Sequence, residues 1–426
     1  MNETRAFTLL KEIGFVRTAG SPEEHRAAEL LIAQAAKLGV TAVLEPFDIP
    51  NAVTKTAKLE VLQPYQKSYT VTDYKCCANT DDNGLTADFY YAQGATAADL
   101  ADARGKIVLV NGYLRLPAYK RMTKAGVAGF VTMSGALLDR EEETDLFTRQ
   151  LRTNLQTFGS LPGVNLRATD AFELVKQQAS QVRLTIKSET VALQSGNVVA
   201  EIKGTKYPEE IISFGAHYDS TEFSTGVYDN GAGSVMVMEL LHYFTENPPL
   251  RTVKFIWYGS EEVGLLGSHA YVKQHEEELR HHLLMINIDV GGSVLGQDLA
   301  QITGEMSLVH FTDYFMKLRG YPVEVTQSTY SSDSIPFANK GVPAVNFIRE
   351  GAEGGAYIHC RNDVIDYLSP EGLDKTMRHL LDYSTQLVNA VVFPVEKKMP
   401  TEMVEAVDKY LYKKELEEAK LEHPQQ

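Results

Sequence analysis

Four apolar runs in the chain each end shortly before a residue that can bind a metal ion or move a proton. They are Ile211–Phe214 before His217, Val253–Tyr258 before Glu261, Leu283–Ile288 before Asp289, and Ala344–Ile348 before the loop that carries His359. Short runs rich in leucine and β-branched residues are typical of buried strands. In open α/β sheets, sites form in the crevice beyond the carboxyl ends of such strands. The pattern predicts an α/β fold with a mixed, mostly parallel central sheet flanked by helices, and a site beyond its strand ends.

The residue types at these strand ends are those that a pair of zinc ions requires. Two metal ions about 3.5–4 Å apart need one shared anionic bridge, because their mutual repulsion has to be offset. Each ion then needs a neutral imidazole and a further carboxylate. Asp229 lies in a glycine-rich turn and is the candidate bridge. The candidate ligand groups are His217, Asp229 and Asp289 for one ion, and Asp229, Glu262 and His359 for the other.

The adjacent glutamates Glu261 and Glu262 are expected to have different roles. Neighbouring side chains on an extended backbone point in opposite directions, so only one of the two can bind metal directly. If Glu262 is the ligand, Glu261 is free to take a proton from a metal-bound water as a general base.

Other candidate residues are expected to have ordinary structural roles. His269, His275, His281 and His282 lie on or near a polar helix, where solvated side chains are expected. Cys360 is interpreted as a small packed side chain. Three further carboxylates do not follow a recognisable strand end and are left outside the site; they are Asp313, Asp333 and Asp366.

Residues 195–392 resemble the M28 family of di-zinc peptidases, which includes many aminopeptidases. Four family patterns carry the resemblance: H-x-D at His217–Asp219, D-N-x-x-G at Asp229–Gly233, E-E-x-G-L-x-G-S at Glu261–Ser268, and N-x-D at Asn287–Asp289. The opening RTAGSPEEHRAAELL also resembles the N-terminal helix of the family. The resemblance implies a zinc-peptidase fold, hydrolysis of peptides and two zinc ions per chain.

Residue by residue, the resemblance implies specific roles. The implied metal ligands are His217, Asp229, Glu262, Asp289 and His359, and the implied base is Glu261. Asp219 would orient the His217 imidazole, and the Asp229–Asn230 peptide would be cis. Two departures stand out: Ser334 replaces a histidine in the family's S-D-H-x-x-F pattern, and His359 follows Ile358 where a tyrosine is common. Tyr357, one position further back, is therefore a candidate for the phenol that steadies the oxyanion or contacts substrate.

Composition limits the partners that the chain can have. The formal net charge of -15 argues against nucleic acid or an anionic membrane surface as a partner. No apolar stretch reaches the length of about 18 residues that a membrane span requires. Three cysteines do not make a disulfide framework, and the start MNETRAFTLLKEIGF lacks the basic and apolar regions of a secretory signal. We therefore expect a cytoplasmic protein with a peptide substrate, and the alternative is a secreted protein whose leader has been removed.

The sequence predicts an interrupted catalytic domain. Residues 1–51 and 190–397 form the predicted di-zinc peptidase domain, in which Ser21 caps a helix that Gly39 ends. Residues 52–189 show the pattern of short strands and turns and are similar to a protease-associated (PA) domain. This inserted domain is expected to shape the access of substrate to the site without supplying metal ligands. Residues 398–426 form a charged tail that is expected to be a solvated helix, and the alternative is a subunit contact through its apolar residues, namely Met403, Val407 and Leu411.

The resulting function hypothesis is a co-catalytic zinc exopeptidase, an aminopeptidase in the first instance. A carboxypeptidase on the same scaffold is one alternative, with Arg349 and Arg361 as clamps for a free carboxylate, although both are expected first of all to be surface arginines without a role in the site. A glutaminyl-cyclase-like transferase would keep this fold with a single zinc ion. A receptor-like binding protein would be expected to have lost metal ligands, and this sequence retains the full set.

Overall fold

A computed structural model describes residues 3–140, 142 and 144–422. The chain divides into two compact units: Met1–Ile49 with Gln194–Lys413, and Pro50–Leu193 with Lys414–Gln426. Residues 1, 2, 141, 143 and 423–426, which belong to the predicted domains and tail, lie outside the described part of the chain.

The strands and helices are numbered in chain order. The strands are β1 (Ala42–Ile49), β2 (Ala52–Gln63), β3 (Lys67–Tyr69), β4 (Val71–Lys75), β5 (Leu85–Tyr91), β6 (Ile107–Leu109), β7 (Gly129–Ser134), β8 (Arg149–Gln150), β9 (Gly163–Arg167), β10 (Gln181–Thr190), β11 (Leu193–Ile202), β12 (Tyr207–His217), β13 (Arg251–Tyr258), β14 (His282–Ile288), β15 (Gly296–Thr303), β16 (Val323–Gln327) and β17 (Ala344–Gly351). The helices are α1 (Glu3–Ile13), α2 (Pro22–Lys37), α3 (Leu116–Ala125), α4 (Thr153–Gln156), α5 (Ala168–Lys176), α6 (Ala232–Glu246), α7 (Leu266–Gln274), α8 (Met306–Arg319), α9 (Ser334–Asn339), α10 (Pro370–Val388), α11 (Thr401–Tyr410) and α12 (Lys413–Glu422).

The first unit is built on an eight-stranded sheet in the order β1-β11-β13-β12-β14-β17-β15-β16. The central strands β13, β12, β14 and β17 are parallel, whereas β11 and β15 pair antiparallel with β13 and β17. Every residue of β13 is buried. Strands covered on both faces need continuous apolar runs, which explains the pattern that predicts them. The predicted mixed, mostly parallel sheet flanked by helices is confirmed.

Buried side chains pack on both faces of the sheet, and the larger cluster lies on the face covered by α6. The Phe214 ring of β12 stacks on Phe244 of α6 and Phe255 of β13, with centroids 6.0 and 5.6 Å apart. Helix α2 begins as the sequence predicts, because Ser21 Oγ accepts the Glu24 N–H at 3.0 Å. Gly39 follows the helix with a φ of +76°, a conformation that glycine adopts without a Cβ penalty.

The second unit contains a nine-stranded sheet in the order β3-β2-β10-β5-β6-β7-β9-β4-β8. The segments GKIVLVNG at 105–112 and AGVAGFVTMSG at 125–135 predict strands, and they contain β6 and β7, each shorter than its segment. Helix α3 connects them, and their pairing is parallel. The unit is rich in strands, and its likeness to a PA domain stays a prediction.

The C-terminal tail contains helix α11, which belongs to the first unit, and helix α12, most of which belongs to the second. Val407 of α11 is 1% exposed and packs with Leu265, Ile335 and Ala338 of the same unit. The prediction that Val407 offers a subunit contact is therefore wrong for this residue, since its apolar side is covered within the chain. Among the described residues, none of the helices combines the length and the apolar character that crossing a membrane requires.

Candidate metal centre

The central parallel strands bring the predicted site residues together at their carboxyl ends. His217 is the last residue of β12, Asp289 follows β14 directly, and Glu261 lies three residues beyond the end of β13. Two groups of potential ligand atoms form there, each with its atoms within 4.8 Å of one another. One group is His217, Asp229 and Asp289, and the other is Asp229, Glu262 and His359.

Asp229 belongs to both groups through different oxygens. Its Oδ1 lies 3.1 Å from His217 Nε2, and its Oδ2 lies 3.1 Å from His359 Nε2. Asp289 Oδ1 is 3.5 Å from His217 Nε2, and Glu262 Oε2 is 3.0 Å from His359 Nε2. A carboxylate with one oxygen in each group has the arrangement that a bridge between two cations requires.

The backbone around Asp229 is held from both sides. Asp363 accepts the N–H groups of Tyr228 and Asp229 at 2.8 and 3.2 Å. Asn230 donates to the Ile288 carbonyl at 2.8 Å and accepts the Gly233 N–H at 2.9 Å, which ties the turn to the end of β14. A Cβ at Gly233 would lie 2.3 Å from Asn230 Oδ1, so the turn requires glycine there. The Asp229–Asn230 peptide is cis.

Asp219 contacts both His217 and the pair of glutamates. Its Oδ1 lies 3.4 Å from His217 Nδ1, on the side of the ring opposite to Asp229. The same carboxylate accepts the Glu261 N–H at 2.9 Å and the Glu262 N–H at 3.1 Å. These glutamates lie in a turn after β13 and not on an extended strand. The alternation argument used to separate them is therefore wrong, although only Glu262 belongs to a ligand group.

Arg17 is a buried cation beneath the site that sequence reasoning missed. Its guanidinium donates to the carbonyls of Ile13 and Phe15 at 3.0 Å, and to those of Thr225 and Gly226 at 2.6 and 2.7 Å. Burial lowers the pKa of Arg17 to about 10, and nearby carboxylates, Asp363 first, oppose this change. The guanidinium thus ties the segment after α1 to the loop that leads into Asp229.

The site holds more carboxylates than its imidazoles can neutralise. Burial raises the pKa of Glu262 to about 7, and the charge of Asp229 adds to the rise. Burial also raises the pKa of Glu261 well above its usual range. The charge of His217 opposes this rise, and the charge of Glu262 reinforces it. The pKa of Asp229 lies below its usual range. Burial acts to raise this pKa, but hydrogen bonds with His217 and His359 outweigh the effect of burial. Bound cations would relieve this repulsion, so the donor set fits a pair of metal ions.

Two residues near the groups differ from what the sequence predicts. Asp333, which the sequence argument leaves outside, is fully buried, and burial raises its pKa to about 7 against the charge of His217. Tyr357, the candidate phenol, is 39% exposed and packs edge-on against Tyr367 with centroids 5.6 Å apart. Tyr330 interacts electrostatically with the ligand carboxylates. Burial raises the pKa of its phenol, and the charges of Asp289 and Asp229 add to the rise. No apolar run precedes Tyr330 or Asp333, so the strand-end signal does not find them.

Two predicted surface residues are buried instead. Arg349 is 4% exposed, and its Nη1 pairs with Asp298 at 2.8 Å while its Nε donates to the Ser293 carbonyl at 2.8 Å. It is therefore neither a surface arginine nor a clamp for a substrate carboxylate. His282, expected in solvent, is the buried first residue of β14, and its Nδ1 lies 2.6 Å from Ser213 Oγ.

Comparison with known proteins relates most of the chain to peptidases. The sequence profile of peptidase family M28 matches residues 197–384, the segment that contains every residue of both ligand groups. Aminopeptidase YwaD of Bacillus subtilis strain 168 is 28% identical over 395 residues, which make up 90% of this chain and 82% of that protein. Carboxypeptidase Q of Bos taurus is 25% identical over 389 residues, or 84% of this chain and 79% of that protein.

Solved structures share the fold over nearly the full length. A zinc aminopeptidase from Bacillus subtilis aligns with a TM-score of 0.75 at 24% identity, covering 93% of this chain and 98% of that one. The aminopeptidase from Aneurinibacillus sp. strain AM-1 aligns with a TM-score of 0.72 at 22% identity, covering 94% and 96%. The profile match, which contains the family patterns at the strand ends, identifies residues 197–384 as a peptidase family M28 domain, and the solved structures show that the chain has the fold of these aminopeptidases.

Proposed function

We propose that the chain is a co-catalytic zinc exopeptidase that removes N-terminal residues from peptides. In this proposal His217, Asp229 and Asp289 hold one zinc ion, and Asp229, Glu262 and His359 hold a second. The observation that carries the proposal is the placement of the two Asp229 oxygens, one in each ligand group, 3.1 Å from His217 Nε2 and 3.1 Å from His359 Nε2. Histidine and carboxylate ligands of this kind suit zinc.

The mechanism assigns the proton transfers to Glu261. When bound, two zinc ions supply Lewis-acid chemistry, since they acidify a water molecule and polarise a carbonyl group. Glu261 takes the proton from the attacking water and delivers it to the leaving amine as the peptide bond breaks. Its backbone N–H donates to Asp219 at 2.9 Å, which fixes the point at which the side chain leaves the turn.

The arginines near the site favour an amino terminus over a carboxyl terminus in the substrate. Two of them, Arg349 and Arg17, are already held by other groups of the chain. Arg349 is occupied by Asp298, and the Arg17 guanidinium is fully buried among backbone carbonyls. The relatives include both an aminopeptidase and a carboxypeptidase, and the engagement of Arg349 by Asp298 is the observation that favours the first activity.

Blocked and unblocked substrates test the proposal. Aminoacyl p-nitroanilides and C-amidated peptides with free amino groups should be hydrolysed by the zinc-loaded protein, whereas their N-acetylated counterparts should lose most of the activity. Hydrolysis that survives N-acetylation and is abolished by C-amidation would establish the carboxypeptidase alternative. Cyclisation of an N-terminal glutamine with one zinc ion per chain would indicate the transferase, and binding without turnover would indicate a receptor.

A further inference from the structure

The residue before the proposed base has an unusual backbone conformation. Ser260 has a φ of +56°, in the left-handed region that L residues other than glycine rarely adopt. Leu265, Val290 and His359 also have positive φ angles, and all lie within a few residues of the proposed base or ligands. Such conformations persist only where the surrounding structure holds them in place. What holds Ser260 therefore also fixes the direction in which the chain enters Glu261.

Glu24 is the residue that holds Ser260. Its Oε1 accepts the Ser260 N–H at 2.8 Å and the Ser260 hydroxyl at 3.0 Å, from a position 236 residues away in the sequence. The Glu24 side chain is fully buried, so water does not compete for these bonds. Together with the two amides that Asp219 accepts, the successive N–H groups of Ser260, Glu261 and Glu262 are all donated to buried carboxylates.

The helix that carries Glu24 does not need both of its carboxylate oxygens. Glu24 is the third residue of α2, where a glutamate commonly reaches back to the backbone at the helix start. Its Oε2 does so by accepting the Gly20 N–H at 2.6 Å. This leaves Oε1 for the turn after β13, an interaction that contributes nothing to capping α2.

We propose that Glu24 is a positioning residue that acts through Ser260 to aim Glu261. The proposal deepens the proposed function, on which it rests. Glu24 lies outside the segment matched by the family profile, and it contacts neither ligand group. Without its carboxylate, Ser260 relaxes toward negative φ and the Glu261 carboxylate moves away from the attacking water, while the ligands remain in place.

Variants at Glu24 and Ser260 separate positioning from plain stabilisation. Glu24→Ala should lower kcat by about 10²-fold, since a misplacement of about 1 Å can cost that much, with KM changed by less than about threefold. Adding Ser260→Gly should restore at least about tenfold of the loss, because glycine adopts positive φ without the missing bonds. Glu23→Ala alters an exposed glutamate in the same helical turn and should leave kcat unchanged.

Zinc content and the backbone conformation of Ser260 test the proposal independently of activity. Glu24→Ala should keep the wild-type zinc content by elemental analysis, and its crystal structure should show Ser260 out of the left-handed region. If the alanine variant fails to fold, Glu24→Gln provides the same test with a smaller effect. Glutamine keeps the volume of the side chain but places an amide N–H against the Gly20 or Ser260 donors. An unchanged kcat with Ser260 still near its wild-type φ would overturn the proposal. Absence of peptide hydrolysis by the wild type would instead overturn the proposed function, while the crystal structures still decide the role of Glu24.

Discussion

At the scale of single residues, two adjacent glutamates have different surroundings although one carboxylate holds the backbone of both. Asp219 accepts the N–H groups of both Glu261 and Glu262, so the two side chains leave the turn from fixed points. Only Glu262 reaches a ligand group, with Oε2 3.0 Å from His359 Nε2. We therefore assign metal binding to Glu262 and proton transfer to Glu261.

Exchanging each glutamate for glutamine tests this division. Glu261→Gln keeps the shape of the side chain but removes the proton acceptor, so we expect about two zinc ions per chain, intact binding of an amino-acid hydroxamate, and a kcat lower by about 10²–10⁴-fold. Glu262→Gln should weaken zinc binding, with activity partly restored by excess zinc. Elemental analysis and steady-state kinetics of both variants check the assignment. Exchanged phenotypes would mean that the two roles are reversed.

The sequence reveals some of these residues and conceals others for a physical reason. His217 and Asp289 lie at or directly after strands whose apolar runs are visible in the sequence. Arg17 and Glu24 act through contacts more than 200 residues away, which no local period encodes. Arg349 is a further case, because its sequence neighbours do not reveal the buried Asp298 that pairs with it.

At the scale of elements, an ionic cluster joins β1, β13 and β14 through the short helical turn Glu278–His281. Glu278 Oε2 pairs with Lys254 at 2.6 Å, lies 3.4 Å from His282 Nε2 and 3.5 Å from His275 Nδ1. Glu45 of β1 lies 2.9 Å from His275 Nε2. Hydrogen bonds with Glu278 and Glu45 raise the pKa of His275 from 6.5 to about 9 against burial and the Lys254 charge.

This raised pKa predicts a pH-dependent contribution to stability. Protonated His275 stabilises the folded state fully below pH 6.5, and the contribution is lost as the pH rises through about 9. The difference in unfolding free energy between wild type and His275→Gln should fall by about 1–3 kcal/mol between pH 6.5 and 9.5. Urea unfolding at both pH values measures it, with His310→Gln on the exposed side of α8 as control. A difference that stays constant with pH would contradict the assignment.

Helix α11 makes a second prediction at this scale. Val407 is 1% exposed and packs on Leu265, at the start of α7, and on Ile335 of α9. Val407→Asp places a charge in this contact and should lower the free energy of unfolding by about 3 kcal/mol or more. Val404→Asp is the matched control, since Val404 lies on the same helix and is 41% exposed, and it should change stability by less than about 0.5 kcal/mol. Equal effects in urea unfolding would show that α11 is not packed in this way.

At the scale of the whole molecule, the sequence predicts the parallel centre of the first sheet better than its edges. The central strands are buried on both faces and therefore appear as continuous apolar runs. The edge strands β1 and β16 mix exposed positions with partly or fully buried ones, so their apolar runs are interrupted. The antiparallel pairings of β11 and β15 depend on contacts across the sheet, which a single apolar run does not specify.

The proposed ligands and base all belong to the first unit, which predicts what excision of the second unit will do. Asp48 Oδ1 accepts the Gln194 side-chain amide at 2.9 Å, so a short linker can replace residues 50–193. The shortened protein, ended at Lys413, should still bind about two zinc ions. Adding Asp229→Ala to it should abolish that binding. A shortened protein that is folded by circular dichroism yet binds no zinc would show that the second unit supplies ligands.

The central claim is that Asp229 bridges two zinc ions, and zinc stoichiometry tests it most directly. Chelator-treated protein, reloaded with zinc and freed of excess metal, should contain about two ions per chain by elemental analysis. His359→Ala should retain one ion in the His217 group, and Asp229→Ala should retain neither, because both groups lose a ligand. His310→Ala, an exposed histidine, should keep two. One ion or none in the saturated wild type, or two in Asp229→Ala, would contradict the two-metal centre.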